Sequence, residues 1–406
     1  MRIMANKKTT TAMIFILIIA VAGAVIPSDI YAKNQSAGVV LADDTGKILY
    51  GRNNEELFIP ASILKILTSL AAIQILGKEY RFSLDYYFDE DSKNLYIKGF
   101  GDPLFISEVI EQLCRKILST SETDRIHHII LDQTYFSDQI QIPGKGSSLN
   151  PYDAPVGALC ANFNTITFNH QPTGRLISAE PQTPLLDVFE NDIKATGLMQ
   201  GRIILTKKQS LLYPGLLIKH FLEKDHISVT GTVLQGRFQS KKEKHFSFES
   251  PFELKEVVQK LLQYSNNYIA NQLLLTLGAK TYQAPATIEK GVKALNHFAK
   301  QFLGFKHLTL LEGSGLSRSN KITPDQMIKI LINFLPYHLL LNRQENEFYK
   351  TGTLSGVRTR AGYILGKDNR LYPYVIMINQ KNTGYDTIRK DLINRVSQMI
   401  QQPVGQ

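Results

Sequence analysis

The stretch Ser62-Ile63-Leu64-Lys65 follows Pro60 and opens a long apolar run that extends to Leu76. A run that is apolar on all sides indicates a buried helix, and Gly77 is a typical stop signal at its end. A serine in the first turn and a lysine three residues later lie on one helical face, about 5–6 Å apart at Cβ. The sequence therefore predicts a serine hydroxyl within reach of a lysine amine at the start of a buried helix.

These two side chains have the chemistry of a nucleophile and its base. A serine hydroxyl is a weak nucleophile until a neighbouring group removes its proton. Burial disfavours the charged form of a lysine, so its pKa falls and the amine can accept that proton near neutral pH. A helix N-terminus also favours negative charge that develops nearby. We therefore interpret Ser62 as a candidate nucleophile and Lys65 as its candidate base.

Two further motifs support this interpretation. S-x-x-K fixes only two of four positions, so chance matches are common and the motif alone is weak. In this chain it occurs once and is followed by Ser265-Asn266-Asn267 and then by Lys350-Thr351-Gly352-Thr353. The order S-x-x-K, S-x-N, K-T-G is the signature of penicillin-recognising serine enzymes.

Composition describes an ordinary folded protein with a basic surface. The 406 residues predict two or three domains, and the hydrophobic content of 43% is enough for a sizeable core. The net charge of +10 favours loose association with anionic envelope surfaces. A nucleic-acid partner is not expected, because the cluster at 241–244 is short and no aromatic-interleaved basic stripe accompanies it.

The amino end has the layout of a secretory signal. Arg2, Lys7 and Lys8 precede an apolar run over 12–26, and a cleavage position follows Ala32. Such a run is short for a membrane span, so we expect 1–32 to be a signal peptide and the protein to be exported, to a periplasmic or other extracytoplasmic location. The alternative is an uncleaved membrane anchor. Cleavage would remove three basic residues and Asp29 and leave a net charge of +8.

Strand and helix patterns divide the rest of the chain. Residues 38–50 predict a β-hairpin around the turn at 43–46. The region 86–249 consists mainly of short strand-like runs, with two helix candidates near 184–195 and 214–224. Ser265 falls at a break between two predicted helices, the second of which is expected to end at Gly278.

The carboxyl-terminal part predicts a return to mixed structure. A helix over about 288–302 and another opening at the capping pattern of Thr323 and Gln326 precede the Lys350 strand. Strands at 360–364 and 374–378 and an amphipathic helix over 385–400 follow. The two chain ends would then complete one sheet around an inserted block. We thus expect a catalytic domain formed by 33–85 and 250–406, with 86–249 as inserted accessory domains.

With these motifs, the chain resembles the D-alanyl-D-alanine carboxypeptidase/endopeptidase group of low-molecular-mass penicillin-binding proteins, the penicillin-binding protein 4 type. The resemblance covers nearly all of the mature chain, and the 203 positions between Ser62 and Ser265 are characteristic of this group. It implies an α/β fold of the β-lactamase/transpeptidase type: an antiparallel sheet flanked by helices, an all-helical lobe and a large β-rich insertion. Further matching segments lie at 95–103, 152–156, 162–164, 313–318 and 360–363.

The resemblance also implies roles for the first two motifs. Ser62 would form an acyl-enzyme with peptidoglycan stem peptides, and covalently with β-lactams, while Lys65 acts as its base. Ser265 would relay a proton to the leaving D-alanine. Asn267 would bind the substrate amide and hold Lys65. We expect this chain to use neither a metal nor another cofactor.

The third motif would bind the substrate. Lys350 would place positive charge near Ser265 and the substrate carboxylate, and Thr351, Gly352 and Thr353 would line the substrate with hydrogen-bonding groups. The backbone N–H groups of Ser62 and Thr353 would form the oxyanion hole.

Two other function classes stay open from the sequence. A serine β-lactamase shares the three motifs, although the large insertion argues against it. A non-catalytic scaffold that binds the cell wall could use the same fold, although the intact motif set argues against that. The sequence does not separate removal of a terminal D-alanine from cleavage of D-alanyl cross-links, because both reactions present the same acyl donor.

Several other residues invite a functional interpretation. Ser314 lacks the preceding glycine of a nucleophile elbow, so we expect a loop residue beside the cleft. His127-His128 would point to opposite faces of a strand, which disfavours a zinc site. Asp102 is expected to stabilise a turn before Pro103. Asn271 stands where many relatives carry a glutamate.

The two cysteines, Cys114 and Cys160, leave their redox state open. Export would place them in an oxidising compartment, where a disulfide is allowed. Their spacing does not show whether they meet, so the bonded and the free forms both remain alternatives.

Overall fold

The computed structural model describes residues 37–121, 123–146, 149, 151–239, 245–380 and 384–399. The predicted signal peptide at 1–32 lies outside these ranges. None of the helices within them combines the length and the apolar character that crossing a membrane requires.

Strands and helices are interspersed along the described chain. From the amino end to the second motif they are β1 (Ala37–Ala42), β2 (Ile48–Arg52), α1 (Lys65–Leu76), β3 (Arg81–Asp89), β4 (Asn94–Gly99), α2 (Ser107–Thr120), β5 (Arg125–Ile126), β6 (Ile129–Asp132), β7 (Thr165–His170), β8 (Leu176–Ser178), α3 (Glu190–Ala195), β9 (Gln200–Ile204), α4 (Lys207–Lys224), β10 (Ser228–Val229), β11 (Val233–Gln235), β12 (Phe246–Glu253) and α5 (Leu254–Tyr264). After it they are α6 (Asn267–Tyr282), α7 (Ile288–Leu303), α8 (Pro324–Phe334), β13 (Asn342–Gln344), β14 (Glu347–Leu354), β15 (Val357–Leu365), β16 (Leu371–Ile378) and α9 (Tyr385–Met399). A 3-10 turn, Ala61–Leu64, leads directly into α1.

A six-stranded antiparallel sheet joins the two ends of the described chain. Its order is β13-β14-β15-β16-β1-β2. Strand β1, from the amino end, pairs with β16, from the carboxyl end, with Val39 opposite Ile376. The prediction that both ends of the chain complete one sheet is thus confirmed.

Helices cover both faces of this sheet. On one face, α1 is buried on all sides, from Lys65 to Ile73, among α5, α6, α7 and α8. On the other face, α9 packs Leu392 and Val396 against β1 and β16. Because α1 has no exposed side over these residues, its apolar run follows no amphipathic pattern, as the sequence predicted.

The region between β3 and β12 has its own core. It contains a five-stranded sheet of order β11-β6-β4-β3-β12 and a three-stranded sheet of order β8-β7-β9. The predicted domain limits, 85/86 and 249/250, fall inside β3 and β12, which pair with each other through Ser83 and Glu249. The division into domains stays a prediction.

Three helix assignments from the sequence were wrong or incomplete. Helix α2 was missed, although Val109, Ile110, Leu113 and Ile117 give it a buried face. Its N-cap, Ile106, offers no side-chain oxygen, so the usual start signal is lacking.

Helix α4 begins well before the predicted start at Pro214. A capping box of Thr206 and Gln209 opens it, and Pro214 lies inside the helix. Helix α6 continues through Gly278, where an added Cβ would lie 2.6 Å from the Gly291 nitrogen. This glycine therefore permits the close contact of α6 with α7 and does not end the helix.

Both cysteines are free thiols in buried positions. Burial raises the pKa of Cys160 to about 11, which leaves its thiol uncharged at neutral pH. The free form is therefore the alternative that the structure adopts.

Candidate active site

The first motif forms the predicted contact between hydroxyl and amine. Ser62 lies in the 3-10 turn and Lys65 is the first residue of α1. The Lys65 Nζ donates a hydrogen bond to the Ser62 Oγ at 2.9 Å. Lys65 is fully buried, whereas Ser62 is half-buried.

The remaining hydrogen bonds of Lys65 also go to neutral oxygens. Its Nζ donates to Asn267 Oδ1 at 2.6 Å and to the Ser314 carbonyl at 2.7 Å. Burial, and next the positive charge of Lys350, hold the pKa of Lys65 well below its ordinary value of 10.5, while Glu312 opposes them. A buried amine of this kind can be neutral and accept a proton.

The backbone that carries Ser62 is fixed by its neighbours. Ala61 has a φ of 47°, a left-handed conformation that is costly for a residue with a side chain. The Thr359 Oγ1 donates to the Pro60 carbonyl at 2.8 Å, and Asn379 Oδ1 accepts from the Ile59 N–H at 2.7 Å. These contacts from β15 and from the residue after β16 orient the turn on which the hydroxyl sits.

Two glycines allow other segments to approach this turn. A Cβ on Gly315 would overlap the Ala61 carbonyl, and a Cβ on Gly352 would lie 2.7 Å from the Ser62 nitrogen. Strand β14 thus touches the turn that carries Ser62. The third motif is therefore brought to the first, as predicted.

The second motif occupies the break between α5 and α6. Ser265 ends α5 with a φ of 54°, and Asn266 caps α6 by accepting from the Ile269 N–H at 3.1 Å. Asn267, the first residue of α6, thereby reaches Lys65. Among the described residues, no hydrogen bond involves the Ser265 hydroxyl, so this motif meets the first through Asn267.

Lys350 is almost fully buried in β14. Its Nζ donates to the Thr351 carbonyl at 2.9 Å, and burial lowers its pKa from 10.5 to about 8. Thr351 and Thr353 are exposed, whereas Gly352 is buried against Ser62. The positive charge of Lys350 also acts on Lys65, so two buried amines with lowered pKa belong to one cluster.

The outer edge of β14 is open beside this cluster. Strand β13 pairs with β14 only over Glu347, Phe348 and Tyr349. From Lys350 onward, no strand of the described chain covers that edge. Its free backbone groups can therefore pair with an extended ligand.

The loop that contains Ser314 braces the cleft, as expected. Ser314 is fully buried, and its hydroxyl donates to Glu312 Oε2 at 2.5 Å. Asn271, the departure from many relatives, accepts from the Gly313 N–H at 3.0 Å and so holds the same loop. Sequence reasoning assigned no role to Glu312, although an acidic residue after an apolar run is an available signal.

The other candidate residues lie elsewhere. Asp102 stabilises a turn by accepting from the Leu104 N–H at 2.8 Å. His127 and His128 do not point to opposite faces: they lie in a bend between β5 and β6, with ring centroids 4.0 Å apart. In the described ranges, no group of three acidic, histidine or cysteine side chains is arranged to hold a metal.

The chain resembles known proteins in both sequence and fold. The chain is 24% identical over 413 residues to a D-alanyl-D-alanine carboxypeptidase of Actinomadura sp., covering 82% of this chain and 76% of the relative. Its fold matches the crystal structure of penicillin binding protein 4 from Haemophilus influenzae with a TM-score of 0.74 and 19% identity, over 91% of this chain and 98% of that one.

A second solved structure is a penicillin G acylated predatory endopeptidase from Bdellovibrio bacteriovorus. It has a TM-score of 0.55 and 19% identity, and the match covers 91% of this chain and 92% of that one. These likenesses confirm the predicted transpeptidase-like fold.

The family comparison confirms the predicted enzyme class. The model of the D-Ala-D-Ala carboxypeptidase 3 (S13) family matches residues 25–340, which include the first two motifs and the Ser314 loop. The chain therefore belongs to the D-Ala-D-Ala carboxypeptidase 3 (S13) family.

Proposed function

We propose that this enzyme cleaves D-alanyl-D-alanine bonds in peptidoglycan stem peptides through an acyl-enzyme on Ser62. The observation that carries the proposal is the 2.9 Å contact between Ser62 Oγ and the buried Lys65 Nζ, an amine whose other partners are neutral oxygens. Proximity of this kind, with a base of lowered pKa, is what an activated serine requires.

Acylation begins when neutral Lys65 takes the Ser62 proton. The Ser62 Oγ attacks the carbonyl of the penultimate D-alanine, and the N–H groups of Ser62 and Thr353 stabilise the oxyanion. One such donor typically lowers the activation free energy by ~3 kcal/mol. The close approach of Gly352, the residue before Thr353, to the Ser62 nitrogen supports this arrangement.

Collapse of the tetrahedral intermediate breaks the amide bond. The proton held by Lys65 passes through the Ser265 hydroxyl to the leaving nitrogen, and D-alanine departs as a free amine. Water then attacks the ester carbonyl, Lys65 accepts its proton, and Ser62 recovers a proton as the peptide leaves as a carboxylate. Each cycle consumes one water and restores both side chains.

The third motif binds and orients the peptide. Protonated Lys350 attracts the terminal carboxylate, and the Thr351-Gly352-Thr353 stretch pairs with the peptide backbone along the open edge of β14. Asn267 binds a substrate amide while it holds Lys65. The open edge supports this role, since an extended peptide can add to it as a further strand.

β-Lactams would acylate the same serine. The acylated Bdellovibrio structure supports this proposal, because that related fold carries a penicillin adduct. We propose cleavage of D-alanyl cross-links as well as removal of the terminal D-alanine, because the same related structure is an endopeptidase. Both reactions present the same acyl donor to Ser62, so the muropeptide products distinguish them.

The test uses purified muropeptide monomers and cross-linked dimers, with products identified by mass. Loss of one D-alanine from monomers and conversion of dimers to monomers are the expected results. Neither product, together with no labelling by a fluorescent penicillin, would overturn the proposal. Rapid turnover of penicillin without muropeptide cleavage would instead favour a β-lactamase.

We further propose that residues 1–32 are a cleaved signal peptide and that the mature enzyme works outside the cytoplasm. A peptidoglycan substrate and the layout of the amino end support this location. The division into a catalytic domain of 33–85 and 250–406 and an insertion of 86–249 is part of the same proposal. The basic net charge would favour loose contact with anionic envelope surfaces.

A further inference from the structure

Glu312 is a fully buried carboxylate that the reaction above does not use. It lies in the loop between α7 and α8 and makes no ion pair with a described residue. An isolated buried charge is unfavourable unless hydrogen bonds compensate it. Its surroundings therefore need an explanation.

Four donors surround the two carboxylate oxygens. Oε2 accepts from the Ser314 N–H at 2.7 Å and from the Ser314 hydroxyl at 2.5 Å. Oε1 accepts from the Asn320 Nδ2 at 2.7 Å and from the Ser317 N–H at 3.3 Å.

The direction of these bonds indicates the charged form. The Leu316 N–H donates to the Ser314 Oγ, which leaves that hydroxyl free to donate to Glu312. An ionised carboxylate only accepts hydrogen bonds, whereas a protonated one must donate its own hydrogen. With donors on both oxygens, Glu312 is suited to hold a negative charge.

The loop that Glu312 organises is also a partner of Lys65. The Ser314 carbonyl accepts from the Lys65 Nζ at 2.7 Å. Thr68, on the next turn of α1, donates to the Gly313 carbonyl at 2.6 Å. The Glu312 carboxylate thus accepts hydrogen bonds from both the N–H and the hydroxyl of Ser314, and the carbonyl of the same residue accepts from Lys65.

Glu312 also contributes charge to the cluster. The ionisable groups that act on Lys65 are Lys350, on β14, and Glu312, and their effects oppose each other. Without Glu312, the positive charges of the buried Lys65 and Lys350 amines would repel each other with no compensating negative charge.

We propose that Glu312 is a positioning residue for the base: its carboxylate fixes the Ser314 carbonyl against the Lys65 amine and supplies the one negative charge among the described groups of this cluster. The proposal rests on the proposed base role of Lys65. It assigns Glu312 no contact with substrate.

The test is the rate of acylation by a fluorescent penicillin as a function of pH, in the wild type and in Glu312→Gln. Glutamine has one oxygen where glutamate has two, so one pair of donors loses its acceptor. We expect the plateau rate to fall about tenfold, the effect of losing a charged hydrogen bond. Because loss of the negative charge favours neutral Lys65, the acid limb should also move to lower pH.

Glu312→Asp separates the effect of the negative charge from the effect of the hydrogen bonds to Ser314. This variant keeps the negative charge but withdraws the carboxylate from Ser314. We expect a lowered plateau with the acid limb at its wild-type pH. If the glutamine variant does not fold, this variant still decides the matter, since a wild-type plateau would contradict the positioning role.

Glu347→Gln is the matched control, because Glu347 is equally buried but faces away from Ser62. Loss of stability alone should leave its acid limb in place, as measured on the folded fraction. A folded Glu312→Gln protein with the wild-type acid limb would overturn the inference. A wild type that no penicillin acylates at any pH would overturn the proposed function and this inference with it.

Discussion

Strand β14 carries buried charge on both of its faces, and the two faces treat that charge differently. Glu347 and Lys350 are three residues apart, an odd spacing that places them on opposite sides of the sheet. Glu347 forms ion pairs with Arg360 and Arg389 and accepts from the Tyr374 hydroxyl at 2.6 Å. On the other face, Lys350 donates to the Thr351 carbonyl. The nearby Lys65, on α1, likewise donates only to neutral oxygens.

The difference follows from the chemistry of the cations. A guanidinium keeps its charge in a protein, so the arginine pairs of Glu347 remain ionised and hold α9 to the sheet. An amine loses its proton readily when it is buried without a direct carboxylate partner. One face therefore carries paired charge, while the other carries amines without a carboxylate partner, which the proposed mechanism uses for proton transfer.

The strongest challenge to this comparison is Ser62→Ala. We expect complete loss of covalent labelling by a fluorescent penicillin, because Ser62 Oγ is the one described hydroxyl that hydrogen-bonds Lys65 Nζ. The melting temperature should stay near that of the wild type. Ser69→Ala is the control: this serine lies buried on α1, the helix that follows the Ser62 turn. Its hydroxyl has no hydrogen-bond partner in the described chain, and labelling should persist. Labelling of the Ser62 variant would refute the proposed role of Ser62 as nucleophile.

Lys65→Met tests the role of the unpaired amine. Loss of a general base should slow acylation about 10²–10⁴-fold. Stability should be retained or should rise, because the variant removes a desolvated amine from the core. Stopped-flow labelling and thermal unfolding would measure the two effects. Acylation at the wild-type rate would show that another group takes the proton.

Glu347→Gln tests the opposite face. Removing one partner of a buried ion pair typically costs about 3–5 kcal/mol, so the free energy of unfolding should fall by that order. Denaturant titration measures the fall, while acylation per folded molecule should be unchanged. Glu190→Gln, which disrupts the exposed pair of Glu190 and Lys194, should change stability little. Equal small effects in both variants would remove the distinction between the faces.

The pH dependence around Lys350 gives the smallest effect. Its pKa of about 8 predicts that turnover of carboxylate-bearing peptides declines above that pH, as the amine loses its charge. From about 8 to 10.5, the folded state binds fewer protons than the unfolded state, so this group raises the free energy of unfolding as pH rises. Lys350→Met should lack the alkaline decline. A decline that persists in that variant would assign it to another group.

Local sequence signals predicted much of the candidate site. The spacing of Ser62 and Lys65, the capping pattern at Thr323 and the helix break at Ser265 depend on neighbours within one or two turns. Such features appear in the structure where the sequence placed them. The sequence missed helix α2 because its N-cap residue is not polar. Gly278 permits a close contact with α7, and no local sequence pattern predicts such a contact.

Long-range contacts explain what the sequence did not provide. The role of Glu312 depends on donors at Ser314, Ser317 and Asn320 and on the carbonyl that meets Lys65. The free state of the two cysteines likewise depends on where the chain places them. Neither could be inferred from spacing, because spacing does not give distances between segments.

The sequence by itself determined the candidate reactive groups, their order and the family, because those follow from residue types at short spacings. Only the tertiary structure decided which charges are compensated. The pKa of an amine depends on burial and on charges from distant segments, and these are fixed when β14, α6 and the Glu312 loop close around Ser62.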